Sequence, residues 1–97
     1  VLDFGSGSGI LAIAAARLGA RWGLGVEIDE LALDNARENA RLNGLENRCG
    51  FQKELEPSTG SPYPIVMANI LRPVLLVFAS ALFERLKPGG TLILSGL

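Results

Sequence analysis

The chain opens with Val1-Leu2-Asp3-Phe4-Gly5-Ser6-Gly7-Ser8-Gly9, and this stretch decides the fold. Val1–Phe4 is apolar except for one acid, which predicts a buried strand. A loop with glycine at every second position follows, and a helix is expected from Ile10. Glycine allows a ligand to approach the main chain closely, and the free N–H groups at a helix start favour an electron-rich group. The stretch therefore predicts a cradle for a nucleotide-like cofactor.

The spacing of the glycines indicates which cofactor to expect. A dinucleotide fingerprint, G-x-G-x-x-G, would need a third glycine at position 10, where the chain has Ile10. A phosphate-binding loop would need a lysine after the glycines, and none follows. The pattern D-x-G-x-G-x-G, from Asp3 to Gly9, instead resembles the first motif of class I methyltransferases, which bind S-adenosylmethionine. The alternative interpretation is a glycine-rich turn without a ligand.

Composition limits the possible classes of protein. The 97 residues are enough for one small domain, and the 48% hydrophobic content supplies a core. Nine basic and ten acidic residues give a net charge of −1, so no direct nucleic-acid binding is expected from this segment. The single cysteine excludes an internal disulfide and is compatible with a cytoplasmic location. Histidine is absent, no metal site is predicted, and no apolar run is long enough to suggest a membrane span.

Predicted strands and helices alternate along the chain. Strands are expected at Val1–Phe4, Gly23–Ile28, Cys49–Lys53, Ile65–Ala68 and Thr91–Ser95, and helices at Ile10–Leu18, from an N-cap at Asp29 to about Asn43, and from about Pro73 to Leu86. Pro57–Pro62 is predicted to be a loop, and Lys87–Gly90 is expected to end the last helix. This alternation predicts an α/β fold with a parallel sheet and helices on both faces. For a Rossmann-like doubly wound sheet of this kind, the expected strand order is 3-2-1-4-5.

Acidic residues follow or close the first two predicted strands, at the edge where such sheets bind ligands. Glu27 lies roughly twenty residues past the glycine loop, where a carboxylate accepts hydrogen bonds from ribose hydroxyls and repels a phosphate. Asp29 is its competitor, although capping of the next helix is the favoured role for Asp29. Asp3 is expected to hold the loop through backbone N–H groups, to contact the amino-acid end of the cofactor, or to do both.

Asn69 follows the fourth predicted strand and is expected at the mouth of the same site. A side-chain amide offers both a donor and an acceptor. Asn69 could therefore hold a substrate amine with its lone pair facing the methyl group. The alternative is a structural role, as a cap on the next helix or in a hydrogen bond within the loop.

Several further segments make the resemblance specific. Together they resemble the catalytic domain of the PrmA family, whose members methylate a protein of the large ribosomal subunit, the eleventh in the standard naming. The resemblance runs from Val1 to Leu97 and is weak between Gly50 and Tyr63. The segments that carry it are Val1–Ala15, Gly25-Val26-Glu27-Ile28-Asp29, Ala36-Arg37-Glu38-Asn39-Ala40, Ala68-Asn69-Ile70-Leu71, Leu86-Lys87-Pro88-Gly89-Gly90 and Leu92-Ile93-Leu94-Ser95-Gly96.

The resemblance implies roles for individual residues. Glu27 would bind the ribose in place of the more usual aspartate, and Asn69 would also be catalytic by positioning the amine. Leu55 would flank the adenine, and Pro64 replaces an aspartate that often opens the fourth strand. The residues expected to bind S-adenosylmethionine are Asp3, Gly5, Ser6, Gly7, Gly9, Glu27, Ile28 and Asn69.

The resemblance further implies methyl transfer from a sulfonium to amino groups of a ribosomal protein. The family recognises that protein through an N-terminal domain to which nothing in this sequence corresponds. Class I sheets usually carry two strands after the fifth, so Thr91–Ser95 is expected to have an unpaired edge. The 97 residues are thus expected to form part of a methyltransferase domain in a longer protein. Two alternatives remain open: a small-molecule or RNA methyltransferase on the same fold, and a non-catalytic cofactor-binding piece.

Overall fold

A parallel sheet of five strands forms the centre of the computed structural model, which describes residues 1–55 and 62–97. Its strand order is β3-β2-β1-β4-β5, which confirms the predicted order. The elements in chain order are β1 (Leu2–Phe4), α1 (Ile10–Arg17), β2 (Gly23–Val26), α2 (Glu30–Leu42), β3 (Cys49–Gln52), β4 (Tyr63–Asn69), α3 (Arg72–Glu84) and β5 (Leu86–Ser95).

The register of β1 with its two neighbours determines where the functional edge lies. Phe4, the last residue of β1, pairs with Val26 of β2 on one side and with Ala68 of β4 on the other. Because all three strands run in parallel, the residues that follow these partners emerge side by side. Glu27 and Asn69 therefore leave the sheet at the same edge as the glycine loop.

Helices cover both faces of the sheet, as a doubly wound fold requires. One apolar cluster joins α1 and α2 to β3, and its members are Ala12, Ile13, Ala16, Leu33, Ala36, Ala40, Leu45, Cys49 and Phe51. The other joins Leu82 of α3 to the opposite face of the sheet, with Leu2, Phe4, Val26, Val66 and Ala68. Side chains alternate between the faces of a strand. Asp3, between Leu2 and Phe4, therefore points away from the α3 side.

Two glycines of β2 allow α1 and the glycine loop to lie directly on the sheet. A Cβ atom at Gly23 would stand 2.7 Å from the carbonyl oxygen of Ala12 in α1. A Cβ atom at Gly25 would stand 2.7 Å from Oγ of Ser6 and 2.5 Å from the ring of Phe51. Any larger residue at these positions would push the loop away from the strand.

The fifth strand differs from its predicted form. It begins at Leu86 rather than Thr91, and α3 ends at Glu84. Tyr63 pairs with Leu86 and Ile65 with Thr91, so residues 87–90 bulge opposite the single residue Pro64. Proline has no N–H to donate to the hydrogen bonds between strands, and prolines within sheets are therefore found at bulges. The break predicted at Lys87–Gly90 is therefore a bulge inside β5, and not a loop between α3 and β5.

Other boundaries shift by a few residues. Strand β2 ends at Val26, two residues before the predicted Ile28, and β4 extends over Tyr63–Asn69 instead of Ile65–Ala68. The loop predicted from Pro57 lies outside the described residues as far as position 61.

The α3 helix and β5 leave apolar surface uncovered. Leu76, Val77 and Phe83 of α3 are 72%, 75% and 68% exposed, and Leu82 is the buried residue of that helix. Ile93 of β5 is about half exposed. Within residues 1–55 and 62–97, β5 pairs with β4 alone, as expected for an edge strand. No helix in these two ranges has both the length and the apolar character that crossing a bilayer requires.

Arg48 closes the C-terminal end of α1, which generates a stability prediction. Its Nη2 donates to the carbonyl oxygen of Ala16 at 2.7 Å and to that of Ala20. A cation at a helix C-terminus stabilises the fold by up to ~2 kcal/mol in favourable geometry. We expect Arg48→Met to lower the free energy of unfolding by about 1–2 kcal/mol in urea titrations, compared with a much smaller effect of Arg21→Met. Equal effects of the two substitutions would contradict this role.

Candidate active site

A cavity of about 680 Å³ opens at the carboxyl edge of the sheet. Glu27 and Asn69 supply polar groups to its lining, and Gly5 supplies backbone. Much of the remaining wall is apolar, and it includes Phe4 and Phe78, whose ring centroids lie 4.8 Å apart. A mostly apolar cavity with a few convergent polar groups is the usual form of a small-molecule site.

The Glu27 carboxylate joins the end of β2 to the glycine loop. Its Oε1 accepts a hydrogen bond from the Gly7 N–H at 2.9 Å, and its Oε2 accepts one from the Asp29 N–H at 3.1 Å. Each carboxylate oxygen can accept more than one hydrogen bond, so both retain acceptor capacity. The structure thus brings together the two features that the sequence singled out, the alternating glycines and this acid.

The loop meets the cavity at its first residue, Gly5. The N–H groups of Gly5 and Ser6 both donate to the carbonyl oxygen of Val26, at 2.8 and 3.0 Å. Gly5 and Gly7 have φ angles of +78° and +54°, which L side chains rarely adopt. A Cβ atom at Gly7 would meet nothing within 4 Å, so the backbone of the loop is open to a ligand there.

Two other loop residues face the protein interior. A Cβ atom at Gly9 would lie 2.9 Å from the Ala36 side chain and 2.9 Å from the Phe51 ring, so packing against α2 and β3 explains this glycine. The Ser6 side chain is buried, and its hydroxyl has no hydrogen-bond partner among the described residues. Cofactor contacts of Ser6 and Gly9 stay a prediction.

Asp3 is a buried acid beneath the loop, with 2% of its surface exposed. No donor in the described ranges forms a hydrogen bond with its carboxylate. Burial, and then the neighbouring carboxylate of Glu27, raise the pKa of Asp3 to about 6. Asp3 does not hold the loop through backbone N–H groups in this structure, and at neutral pH it offers an uncompensated negative charge.

Asp29 and Ile28 take different positions at the rim. Oδ1 of Asp29 accepts from the Leu31 N–H at 3.1 Å, which confirms the expected cap of α2. Ile28 lines the cavity and is 77% exposed. Leu55, which the resemblance places beside the adenine, also lines the cavity.

Asn69 is exposed and lines the cavity from the end of β4. The N-cap of α3 is Leu71, which makes no side-chain capping bond, so the alternative role of Asn69 as a helix cap is wrong. Its carboxamide forms no hydrogen bond within the part of the chain that the structure describes. The donor and acceptor of this amide are therefore available to a ligand.

Two residues near the site were not singled out from the sequence. Any Cβ atom at Gly96 would collide with Oδ1 of Asn69, so this glycine leaves room for the amide. Asn39 of α2 donates from Nδ2 to the carbonyl oxygen of Ser8 at 3.0 Å. Both lie in segments that carry the family resemblance. The contact of Gly96 with Asn69 spans 27 residues and that of Asn39 with Ser8 spans 31, so both depend on tertiary packing that a sequence motif does not show.

No group of three or more acidic, histidine or cysteine side chains in the described ranges is arranged to hold a metal ion. The polar side chains that line the cavity are those of Glu27, Lys53, Glu54 and Asn69.

The buried Asp3 carboxylate makes stability depend on pH. Because its pKa of about 6 lies above the unfolded value near 4, the folded state binds the extra proton between these values. The contribution of Asp3 is therefore most favourable below about pH 4 and is lost as pH rises through 6. We expect Asp3→Asn to be more stable than the wild type at pH 7.5, by about 1–3 kcal/mol in urea titrations, and to show a smaller advantage at pH 4.5. A less stable variant at pH 7.5 would contradict the unpartnered carboxylate.

Comparisons with known proteins agree with this geometry. The family model described as ribosomal protein L11 methyltransferase (PrmA) matches residues 1–97. The chain is 50% identical to a ribosomal protein L11 methyltransferase from Dechloromonas aromatica and 47% identical to one from Thiobacillus denitrificans, over 97 residues in each case. It spans 32% of the length of each of these relatives, and all of the chain is covered.

Solved structures with the same fold are also similar in sequence. A ribosomal protein L11 methylase from Lactobacillus delbrueckii subsp. bulgaricus superposes with a TM-score of 0.87 and 38% identity, covering 98% of this chain and 50% of its own. An RNA methyltransferase from Salinibacter ruber, in complex with S-adenosyl-L-homocysteine, superposes with a TM-score of 0.83 and 33% identity. The match covers 96% of this chain and 61% of the Salinibacter ruber chain. On the match over its whole length, the chain belongs to the ribosomal protein L11 methyltransferase (PrmA) family.

Proposed function

We propose that this protein is an S-adenosylmethionine-dependent N-methyltransferase that acts on amino groups of ribosomal protein L11, and that residues 1–97 form part of its cofactor-binding domain. The observation that carries the proposal is the 2.9 Å hydrogen bond from the Gly7 N–H to the Glu27 carboxylate, at a cavity that Asn69 also lines. Membership of the PrmA family and the S-adenosylhomocysteine in the Salinibacter ruber structure support it.

The residues at the cavity fit S-adenosylmethionine. The cavity of about 680 Å³ lies within the usual range for small-molecule sites. Glu27 would accept hydrogen bonds from the ribose, the backbone of Gly5 and Gly7 would line the methionine part, and Ile28 and Leu55 would flank the adenine. When bound, S-adenosylmethionine supplies a methyl group on a positively charged sulfonium.

Lys53 in the cavity lining pairs with Glu30, and the other charged side chains at the site are acidic, which favours a cationic ligand. Asp3 has no donor in the described ranges, and the Glu27 carboxylate lies near enough to raise the pKa of Asp3. A positive group at the site would relieve the repulsion between these two acids, whereas a phosphate would increase it. This charge distribution supports a sulfonium nucleoside over a phosphorylated dinucleotide.

Asn69 would orient the nucleophile. Its amide oxygen can accept a hydrogen bond from a substrate amine, which fixes the direction of the lone pair on nitrogen. The wall of Phe4, Phe78 and Val74 beside it limits the access of water. Residues 1–97 contain no histidine that could act as a base, and we propose that the proton of the amine leaves to solvent.

The ribosomal substrate is supported by the names of the relatives, which are about three times as long as the matched chain. We propose that the part of those relatives outside this match, an N-terminal domain, recognises L11, and that the protein acts in the cytoplasm. An RNA substrate is the second candidate, because the Salinibacter ruber protein of the same fold is an RNA methyltransferase. The net charge of −1 favours the protein substrate.

Glu27 and Asp29 provide a matched pair of substitutions. We expect Glu27→Gln to weaken binding of S-adenosylmethionine by about 1–3 kcal/mol in calorimetric titrations. A glutamine amide has only one acceptor oxygen, and its NH2 group cannot accept a hydrogen bond. Asp29→Asn should change binding little, because asparagine is an equally good helix cap. A larger loss with Asp29→Asn than with Glu27→Gln would transfer the ribose role to Asp29.

Asn69 can be tested separately from cofactor binding. We expect Asn69→Ala to lower kcat at least tenfold, because small misplacements of a nucleophile cost up to about a hundredfold in rate. The loss in affinity for S-adenosylmethionine should be smaller than the loss in kcat, since Glu27 and the loop remain. Steady-state kinetics with L11 measure both, and an unchanged kcat would contradict the positioning role.

The substrate is tested in cells. Mass spectrometry of ribosomal proteins from a strain that lacks the gene should show L11 without its methyl groups, and re-expression of the wild-type gene should restore them. Unchanged methylation of L11, with a loss of methyl groups from RNA, would favour the second candidate.

A further inference from the structure

The Asn39 side chain connects α2 to the second half of the glycine loop. Its Nδ2 donates to the carbonyl oxygen of Ser8 at 3.0 Å, across 31 residues. Asn39 is half-buried, and it lies one turn after Ala36, the α2 residue that packs against Gly9. This face of α2 therefore meets the loop at two successive positions.

The remaining loop contacts come from other elements. The N–H groups of Gly5 and Ser6 are held by the carbonyl oxygen of Val26, and that of Gly7 is held by Glu27. The peptide between Ser8 and Gly9 is held at both ends: the Gly9 N–H donates to the Ser6 oxygen at 2.9 Å, and Asn39 binds its carbonyl.

One donor is left between these fixed points. The Ser8 N–H forms no hydrogen bond within residues 1–55 and 62–97, and Ser8 is exposed. The Gly7 N–H is fixed on one side of it and the Ser8 carbonyl on the other. Glu27 and Asn39 therefore hold the Gly7–Ser8 segment of the loop from two different elements.

We propose that Asn39 is a positioning residue for cofactor binding, which holds the glycine loop in place for the amino-acid part of S-adenosylmethionine without touching the cofactor. This inference rests on the proposed function. Loss of the Asn39 amide would leave the Ser8–Gly9 peptide held only by the Gly9 N–H, and the ligand would then have to order a looser loop on binding. The loss should affect ligands that carry the amino-acid part and spare those that do not.

Asn43 provides the matched control. It presents an amide from the C-cap of α2, and its Nδ2 donates to the carbonyl oxygen of Asn39 in that helix. Asn39→Ala and Asn43→Ala thus each remove one amide from α2 or its C-cap, and the loop loses a contact only in the first.

The experiment is calorimetric titration of the full chain and both variants with S-adenosylhomocysteine and with adenosine, together with the thermal unfolding midpoints without ligand. We expect Asn39→Ala to raise the Kd for S-adenosylhomocysteine about five- to tenfold, in line with the loss of one hydrogen bond. The Kd for adenosine should stay within about twofold, and Asn43→Ala should leave both values within that range. Asn39→Asp, which keeps the size but removes the donor, should weaken S-adenosylhomocysteine at least as much, and it replaces the alanine variant if that variant does not fold.

The outcomes separate the two proposals. Binding of S-adenosylhomocysteine by the wild type with no change in the Asn39 variants would overturn the role of Asn39 alone. An equal loss of adenosine and S-adenosylhomocysteine affinity would also overturn it, because that result indicates a general structural effect. Failure of the wild type to bind S-adenosylhomocysteine would overturn the proposed function and this inference with it.

Discussion

The structure depends on one constraint: β1 lies between β2 and β4 in parallel register. Only three residues long, it aligns Phe4 with Val26 and Ala68. Because parallel strands end at a common edge, this alignment brings the glycine loop, Glu27 and Asn69 to one cavity, although they are separated by up to 64 residues in the chain. Gly23 and Gly25 allow α1 and the glycine loop to pack against β2, since α1 and Ser6 occupy the space that a side chain at these positions would fill.

The site is organised at a cost to stability. Asp3 has no donor in the described ranges, and burial raises its pKa. Glu27, the acid that raises this pKa further, is also the one that holds the loop. Burying an unpaired carboxylate is unfavourable unless a partner arrives. The same pair of acids is suited to a positively charged ligand, so the feature that weakens the free protein is the feature that would strengthen binding. Such exchange of stability for function is common at binding sites.

Local chemistry made much of the fold predictable. Alternating strand and helix segments predict the parallel sheet, and the acid at position 29 predicts a cap that the hydrogen bond from the Leu31 N–H to Asp29 confirms. The form of β5 was not predictable, because the pairing of Leu86 with Tyr63 across a bulge depends on a contact between distant strands. Inward packing of Gly9, and the hydrogen bond of Asn39 to the loop, likewise depend on how α2 lies on the sheet.

The most direct test of the central claim is a crystal structure of the chain with S-adenosylhomocysteine. We expect both ribose hydroxyls within about 2.5–3.0 Å of the Glu27 carboxylate, and the amino-acid part along the backbone of Gly5 and Gly7. A ligand bound outside the cavity, or a ribose on Asp29 with Glu27 bonded only to the loop, would contradict the claim that these elements form one cofactor site.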